Sequence, residues 1–300
     1  MAKKSEKILV ILNPQSGVVS KDLATSIIFK RLQGHFDTVS LISTSSTEHG
    51  RDITQQAMEH FDVITAFGGD GTINSIASVL LHTHKTLAIL PGGSGNGLAR
   101  NLNMSLSWRR ALDTLISGRD VMIDAGKINN HFFFNVAGIG LDGLISKKFN
   151  LESKTRGILP YVYFALKGYF EMPTFKIQVT LDDIQFEEEI LLSAFANFKQ
   201  YGGKVIIAPQ ASPYDRLLDL CILKKVKLLK STMNIQRLFT GNIHMYPFYR
   251  SQKFERIHIR SLNGPIPFHY DGDFGDDKST EFDVEVLPAS LKVRIPDFSG

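Results

Sequence analysis

Residues 67–78 read FGGDGTINSIAS and place three glycines and one aspartate between an apolar run and a helical pattern. The preceding run DVITAFGG is typical of a buried strand, and TINSIASVLLH has apolar residues at helical spacing. Such a strand–loop–helix junction directs backbone N–H groups and a helix N-terminus at one place, where an anion can bind. Glycine allows that approach because it has no side chain. The competing interpretation is a tight turn that binds nothing.

The first part of the chain, residues 1–125, alternates between strand and helix patterns. The strand patterns KILVILNP, TVSLIST, DVITAFGG and KTLAILPGG are separated by helical ones. This alternation predicts an α/β domain, a parallel sheet with helices on both faces. Parallel sheets bind ligands at the carboxyl ends of their strands, where this chain has the loops NPQSG, STSST, GGDGT and PGGSGNG. We expect these four loops to gather at one edge.

Residues 126–283 have a different character, because strand patterns dominate there. They include HFFFNVAGIG, FKIQVTLDD, EEEILLSAFANF, KVIIAP, LDLCILKK and KFERIHIRS, with two helical patterns, GILPYVYFALKGYF and KSTMNIQRLF. The series predicts a second, mainly antiparallel domain, a sandwich or barrel. For the tail, residues 284–300, a return to the first domain is one arrangement that the sequence allows.

Composition indicates an ordinary protein of a reducing compartment. The chain has 300 residues, 43% of them hydrophobic, a net charge of +4 and a single cysteine, Cys221. One cysteine excludes a disulfide framework and a zinc cluster of cysteines, which favours the cytoplasm. The apolar run near the N-terminus, ILVIL, is too short for a signal peptide, and no stretch approaches the about 20 apolar residues of a membrane span. We expect no transmembrane segment and no nucleic-acid partner.

A second glycine loop strengthens the phosphate interpretation. PGGSGNGLA, residues 91–99, again follows a strand pattern and precedes a helical one. No Walker motif G-x-x-x-x-G-K-[ST] is present. A literal G-x-G-x-x-G occurs at Gly138, Gly140 and Gly143, but no acidic residue follows about 20 positions later. We therefore interpret AGIGLDG as a close-packed crossing into the second domain, and dinucleotide binding is the weaker alternative.

Five motifs follow one another along nearly the whole chain: NPQSG (13–17), GGDGTIN (68–74), LPGGSGNGLA (90–99), FNVAGIGLDG (134–143) and DGD (271–273). This series resembles the diacylglycerol kinase catalytic-domain family, which includes soluble bacterial diacylglycerol kinases, sphingosine kinases and ceramide kinases. The resemblance implies a Rossmann-like N-terminal domain, a β-sandwich C-terminal domain and ATP in the cleft between them. It also implies Mg²⁺ and transfer of the γ-phosphate to a lipid hydroxyl.

By the same resemblance, loops of the first domain would contact the nucleotide. Asp70 is placed to orient a metal-bound water or a ribose hydroxyl, and Thr72 is a natural N-cap. Thr44 is our candidate for a family threonine that follows the second strand, with Thr47 as the alternative. The expected nucleotide-binding residues are Asn13, Pro14, Gln15, Ser16, Gly17, Thr44, Gly68, Gly69, Asp70, Gly71, Thr72, Asn74, Ser94, Gly95 and Asn96.

The expected catalytic residues are Asp273 and Asp271. Phosphoryl transfer to an alcohol needs magnesium to neutralise the phosphates and a carboxylate to accept the hydroxyl proton. In the family this base lies in a late DG[DE] motif, which HYDGDFG matches here. In isolation, YDGD is also typical of a hairpin turn. The resemblance implies magnesium ligands as well, at Ser212, Asp215, Leu217 and, in a wider network, Asp124.

Two departures from the family pattern bear on the substrate and the metal. Gly97 stands where soluble bacterial diacylglycerol kinases usually have an aspartate of the magnesium network, and the GSGN form is closer to sphingoid and ceramide kinases. The structural-magnesium loop usually reads DG, whereas this chain has Asp215 followed by Arg216. The acceptor therefore stays open between diacylglycerol and a sphingoid-type lipid. For Asp124, a capping role is the alternative.

The expected partners are ATP and a lipid substrate at a membrane surface, with a homodimer as one assembly. GILPYVYFALKGYF (157–170) is compatible with an acyl-chain groove, a membrane interface or an ordinary core helix. KKVKLLK (224–230) is typical of a solvated face and would attract anionic lipid near a membrane. Three other functions stay open: a kinase of a soluble acceptor related to NAD kinases, a non-catalytic nucleotide- or lipid-binding protein, and a dinucleotide-dependent oxidoreductase.

Overall fold

The chain folds into two compact units, Met1–Ile123 with Ala289–Gly300 and Asp124–Pro288. No helix in the described part of the chain is long and apolar enough to cross a membrane. The helical pattern at 157–170 and the start of KSTMNIQRLF lie outside the described residues. The computed structural model describes residues 4–14, 21–152, 172–182, 184–202, 205–226 and 236–297.

The first unit alternates strands with helices, as its sequence pattern predicts. Helix α2 illustrates how the local sequence sets a boundary, because the Ser46 side chain accepts the His49 N–H at 3.1 Å and caps the helix. The elements are β1 Lys4–Leu12, α1 Lys21–Leu32, β2 Phe36–Ser43, α2 Thr47–Ala57, β3 Val63–Gly68, α3 Asp70–Leu80, β4 Thr86–Pro91, α4 Gly97–Asn101 and α5 Trp108–Ser117.

The second unit is built mainly from strands, and two of them, β5 and β16, are divided between the units. A 3₁₀ turn covers Ile243–Met245. The elements are β5 Arg119–Ile128, β6 His131–Phe133, β7 Val136–Gly140, α6 Leu141–Glu152, β8 Phe175–Leu181, β9 Ile184–Ile190, β10 Leu192–Ala196, β11 Leu218–Leu223, α7 Gln236–Thr240, β12 Tyr249–Phe254, β13 Arg256–Ser261, β14 Phe268–Tyr270, β15 Asp273–Phe274 and β16 Glu281–Ile295.

The first unit has a parallel sheet in the order β2-β1-β3-β4, extended by the C-terminal part of β16. At the carboxyl ends, Leu12 lies beside Ser43 and Phe67, and Gly68 lies beside Pro91. Because the strands are parallel and in register, the described residues that follow β1, β2, β3 and β4 gather at one edge. The expectation for the four loops is confirmed for these residues, and residues 15–20 of the first loop lie outside the described part.

Apolar side chains of helix α5 pack against this sheet. The buried residues of the helix recur at the spacing that places one stripe toward a core. The strands contribute residues such as Ile8, Val10 and Leu90 to the same cluster. The helix contributes Trp108, Ala111, Leu112, Leu115 and Ile116.

The second unit contains two antiparallel arrangements, as its run of strand patterns predicts. One sheet has the order β12-β11-β10-β7-β14-β15. In the other, β16, β13, β8 and β9 pair in that order, and β5 pairs with β6. Strand β7 is antiparallel to both of its neighbours, so AGIGLDG does not lie in the parallel βαβ unit that dinucleotide binding needs. The predicted fold, a parallel α/β domain followed by a mainly antiparallel β domain, is confirmed.

Two strand predictions differ from the structure. HFFFNVAGIG forms two strands rather than one, because the N–H groups of Phe134 and Asn135 bond to the carboxylate of Asp271. KVIIAP makes only an isolated bridge at Ile206. The N–H groups of Ile206 and Ile207 instead bond to carbonyl groups of other loop and helix residues. In both places, backbone N–H groups bond to other partners and are not available for pairing with a neighbouring strand.

A buried ion cluster holds the C-terminal strand in the first unit. Arg294 of β16 is 2% exposed and donates from Nη2 to Glu6 at 2.8 Å and from Nε to Asp120 at 2.7 Å. Burial alone would raise the pKa of Asp120, but the hydrogen bonds and charge of Arg294 lower it below its usual value. The cluster therefore joins residues near both ends of the chain through charged hydrogen bonds.

We predict that Arg294→Met lowers the free energy of unfolding by about 3 kcal/mol, because Glu6 and Asp120 lose the guanidinium hydrogen bonds and Asp120 keeps only Lys292, at 3.5 Å, as a cation. Urea denaturation followed by circular dichroism measures this. The matched control is Arg256→Met, since Arg256 also pairs with a carboxylate, Glu285, at 2.8 Å but its side chain is 80% exposed. Its effect should stay below about 1 kcal/mol. Equal losses in the two variants would contradict the role of the cluster.

Candidate functional site

The two glycine loops of the first unit lie against each other. The Gly92 N–H donates to the Gly68 carbonyl at 2.8 Å, which continues the pairing of β3 with β4. A Cβ on Gly93 would lie 2.6 Å from the Cα of Gly69. Any side chain at position 93 would therefore collide with backbone. The absence of side chains has a packing cause, and the interpretation that a phosphate approaches this surface stays a prediction.

Asp70 joins the two loops. Its Oδ1 accepts the N–H of Gly97, the first residue of α4, at 2.6 Å. Gly95 packs against the same carboxylate, since a Cβ there would lie 2.6 Å from Oδ2. Gly97 stands where the family pattern has an aspartate, and a second carboxylate so close to Asp70 would add repulsion. Gly97 adds no side chain there, so Asp70 is the carboxylate that accepts the N–H of residue 97.

Asn96 shapes the tip of the second loop. It adopts a left-handed conformation (φ 50°), and its side chain accepts the Gly93 N–H at 2.9 Å and donates to the Gly93 carbonyl at 2.7 Å. Asn96 is buried, whereas Ser94 is exposed at the tip. Asn96 thus determines the loop conformation, and Ser94 is the side chain that the loop presents to solvent.

The loops after β1 and β2 are tied to the same edge. Asn13 donates its backbone N–H to the Phe67 carbonyl and its side-chain Nδ2 to the Thr72 hydroxyl, both at 2.9 Å. Thr44 is buried, and its hydroxyl donates to the Ser46 carbonyl at 2.5 Å. The alternative candidate, Thr47, is exposed.

The other predicted nucleotide-binding residues differ in their exposure to solvent. Pro14 is exposed, Gly71 is half-buried and Asn74 is buried in α3. Every described nucleotide-binding candidate therefore lies at one edge of the sheet or at the start of α3. Gln15, Ser16 and Gly17 lie outside the described residues.

In the second unit, HYDGDFG forms a tight hairpin between β14 and β15. Tyr270 pairs with Asp273, and the two residues between them, Asp271 and Gly272, both have positive φ, 49° and 91°. This is the pattern of a type I′ turn, for which Asp-Gly is a favoured sequence. The two aspartates therefore do not share one face of a strand, as regular strand geometry would predict, because Asp271 lies in the turn.

Asp271 and Asp273 have different surroundings. The carboxylate of Asp271 accepts the N–H groups of Phe134 and Asn135 at 2.8 Å each and that of Val136 at 3.3 Å. Its own N–H donates to the Val136 carbonyl. Both oxygens of Asp271 thus anchor the hairpin to the segment before β7. Asp273 is half-buried at the start of β15.

A buried polar cluster that the sequence did not reveal lies beneath this hairpin. His269 is 2% exposed, and its Nδ1 accepts the Gly272 N–H at 3.4 Å. Its Nε2 lies 3.9 Å from Oδ2 of Asp142, which also accepts the hydroxyl of Tyr201. Within the described residues, Nε2 of His269 has no hydrogen-bond partner. The only signals in the sequence are two polar residues, His269 and Asp142, next to apolar strand patterns.

Three of the predicted magnesium ligands, Ser212, Asp215 and Leu217, lie along one loop of the second unit, and the fourth, Asp124, lies in β5. Asp124 is 1% exposed, and its Oδ2 accepts the Arg216 N–H at 2.8 Å. Asp215 accepts the Leu217 N–H at 3.2 Å and pairs with a lysine. Ser212 is half-buried at the beginning of the loop. The structure brings Asp215 and Leu217 together, and the Asp124 carboxylate bonds to the backbone of the loop rather than to one of its side chains.

In the part that the structure describes, no group of three histidine, cysteine, aspartate or glutamate side chains is placed to hold a metal ion. Cys221 is buried in β11 beside Tyr249. Burial raises the pKa of its thiol to about 12, so the thiol stays protonated at neutral pH.

Comparison with protein families accounts for nearly the whole chain. The model described as diacylglycerol kinase catalytic domain matches residues 7–128. The model described as YegS C-terminal NAD kinase beta sandwich-like domain matches residues 135–295.

Curated relatives and solved structures agree with these matches. A diacylglycerol kinase of Bacillus subtilis (strain 168) is 30% identical over 285 residues, which cover 91% of each chain. One of Staphylococcus saprophyticus is 27% identical and covers 89% of this chain and 88% of the relative. A crystal structure of a diacylglycerol kinase from Bacillus anthracis str. Sterne superposes with a TM-score of 0.76, at 23% identity and 98% coverage of each chain. An NAD kinase from Archaeoglobus fulgidus in complex with ATP has the same fold, with a TM-score of 0.57, 12% identity and coverage of 97% of this chain and 94% of that one.

We predict that Gly93→Ala destabilises the protein by about 1–3 kcal/mol, because the new methyl group meets the Gly69 backbone, which has to move. The matched control is Gly34→Ala, since a Cβ at Gly34 meets no atom within 4 Å. Thermal denaturation of the two variants measures the difference. A Gly93→Ala variant as stable as Gly34→Ala would show that the two loops do not pack as described.

We predict that Asp271→Asn lowers the free energy of unfolding by about 2 kcal/mol. Asparagine tolerates the left-handed backbone, so the change isolates the loss of charged acceptors for the N–H groups of Phe134 and Asn135. Asp273→Asn leaves those N–H groups with their acceptor, so its effect on stability should be smaller than that of Asp271→Asn. Chemical denaturation measures both, and hydrogen exchange at residues 134–136 should rise only in Asp271→Asn. The reverse order of effects would contradict the anchoring role of Asp271.

Proposed function

Because the chain belongs to the diacylglycerol kinase catalytic-domain family, we propose that it is an ATP-dependent lipid kinase that transfers the γ-phosphate to a hydroxyl of diacylglycerol or of a sphingoid-type lipid. The observation that carries the proposal is the pair of glycine loops at the carboxyl edge of the parallel sheet, joined by Asp70 and Gly97. The curated relatives, which are named diacylglycerol kinases, support the choice of a kinase.

The first-unit loops have the chemistry that ATP needs. The first N–H groups of a helix have no acceptor within the helix, so the start of α3 at Asp70 and Gly71 offers donors to phosphate oxygens. The exposed hydroxyl of Ser94 adds a donor from the second loop. Mg²⁺, when bound with the nucleotide, would neutralise the phosphate charge, and the Asp70 carboxylate offers the oxygen ligands that this ion prefers. The expected role of residues 15–17 stays a prediction.

Asp273 is the base that we propose for the transfer. Asp271 already accepts three backbone N–H groups, so we assign it the positioning of the hairpin rather than the reaction. In the proposed step, a carboxylate oxygen of Asp273 accepts the proton of the lipid hydroxyl. The hydroxyl oxygen forms a bond to the γ-phosphorus, the bond from that phosphorus to the bridging oxygen breaks, and ADP leaves.

The acceptor is the least constrained part of the proposal. A lipid acceptor is presented at a membrane surface, so the proposal includes peripheral contact of a cytoplasmic protein with that surface, either as a monomer or as a homodimer. One observation favours a second candidate, a kinase of a soluble acceptor, because an NAD kinase in complex with ATP has the same fold. That likeness concerns the fold alone.

We predict that the purified chain, given radiolabelled ATP and MgCl₂, transfers label to a lipid in mixed micelles. The panel contains diacylglycerol, a sphingoid base, ceramide and a prenol, with NAD as the soluble acceptor. Asp273→Asn should lower kcat by about 10²–10⁴-fold, because proton transfer loses its acceptor. Its melting temperature should stay close to that of the wild type.

The matched control is Asp283→Asn, an exposed aspartate of the same unit whose side chain is 79% exposed and which should keep full activity. Full activity of Asp273→Asn would show that the base is misassigned. Label on NAD alone would favour the soluble-acceptor kinase. Tight ATP binding without transfer to any acceptor would favour a non-catalytic nucleotide-binding protein.

A further inference from the structure

The loop 212–217 is where the family resemblance implies a structural magnesium ion, and its donors in this chain do not fit one. Oδ1 of Asp215 accepts the Leu217 N–H at 3.2 Å, and Oδ2 lies 2.8 Å from Nζ of Lys253. The carboxylate that would coordinate the metal is therefore already paired with a cation of the chain itself. A hard divalent ion needs several oxygen ligands around it, and this carboxylate is the one acidic ligand that the resemblance assigns directly to the loop.

Lys253 is placed to serve two carboxylates at once. Its Nζ lies 2.8 Å from Asp215 and 2.9 Å from Asp219. Asp219 and Lys253 are directly opposite each other in the pairing of β11 with β12, so the sheet register fixes this contact. The side chain of Asp219 is only 5% exposed, and a buried carboxylate is strongly destabilised without a partner.

The loop backbone has the left-handed turn that the family glycine would allow, since Arg216 has φ 64° and its N–H is bonded to the buried Asp124. The difference from a metal-binding loop therefore lies in the charge beside Asp215. A divalent ion on Asp215 would lie next to the Lys253 ammonium, and charges of the same sign at such a separation repel strongly in a partly buried site. The loop thus has an ammonium group where a metal site needs further oxygen ligands.

We propose that the Lys253 ammonium is the cation that closes the loop 212–217, and that this chain holds the loop without a structural divalent metal. The ammonium neutralises Asp215 and Asp219, while Asp124 holds the backbone at Arg216. The inference concerns the second unit alone and does not rest on the proposed function. The proposal does not concern a magnesium ion that binds together with ATP.

The first test uses the nucleotide-free, full-length wild type. We expect its melting temperature in EDTA and in MgCl₂ or MnCl₂ to agree within about 1 °C. Equilibrium dialysis against Mn²⁺ should detect no tightly bound ion. One Mn²⁺ bound per chain, and lost in Asp215→Asn, would overturn the proposal. Because neither nucleotide nor lipid is present, this result is independent of whether the chain is a lipid kinase.

The second test removes the internal cation. Lys253→Met should be less stable than the wild type in EDTA, and added Mn²⁺ or Mg²⁺ should raise its melting temperature by about 2 °C or more, because Asp215 and Asp219 become available to a metal. The matched control is Arg250→Met, on the same strand, whose guanidinium pairs with Glu188 at 3.0 Å. It should show no response to metal. A Lys253→Met variant that equals the wild type in EDTA and ignores added metal would overturn the proposal.

Discussion

The loops that follow β3 and β4 pass so close to each other that a side chain on Gly93 would meet the backbone of Gly69. The parallel pairing of the two strands brings this about, because Gly68 and Pro91 end side by side. With no room for side chains at Gly69 and Gly93, the loops are held by the Gly92 N–H on the Gly68 carbonyl and by the Gly97 N–H on the Asp70 carboxylate. A surface of backbone donors at a helix N-terminus follows from that constraint.

Aspartates that the sequence marks for phosphoryl transfer serve in the structure as acceptors for backbone N–H groups. Asp70 receives the first N–H of α4, Asp124 receives that of Arg216, and Asp271 receives those of residues 134–136. Each carboxylate therefore fixes a loop whose position depends on it. The two aspartates of the DGD motif therefore differ in role, because Asp271 anchors the hairpin through these bonds and Asp273 lies at the start of β15.

Much of the fold could be predicted from the sequence, because buried helices and strands impose a period on their apolar residues. The hairpin at Asp271 could also be foreseen, since an Asp-Gly pair favours a two-residue turn. The break in HFFFNVAGIG could not, because it depends on a carboxylate 137 positions away from Phe134. The contact between His269 and Asp142 was missed for the same reason, as each is a single polar residue within a locally apolar pattern.

The sequence by itself determined the alternation of strands and helices in the first unit, the run of strands in the second, the two glycine loops and the family to which the chain belongs. These features are local, or depend only on the order of short motifs. Only the tertiary structure decided which partner each charged group has, such as Lys253 for Asp215 and Asp219, or Arg294 for Glu6. The physical reason is that sheet register brings together residues that are far apart in the chain, and that register follows from the packing of whole strands.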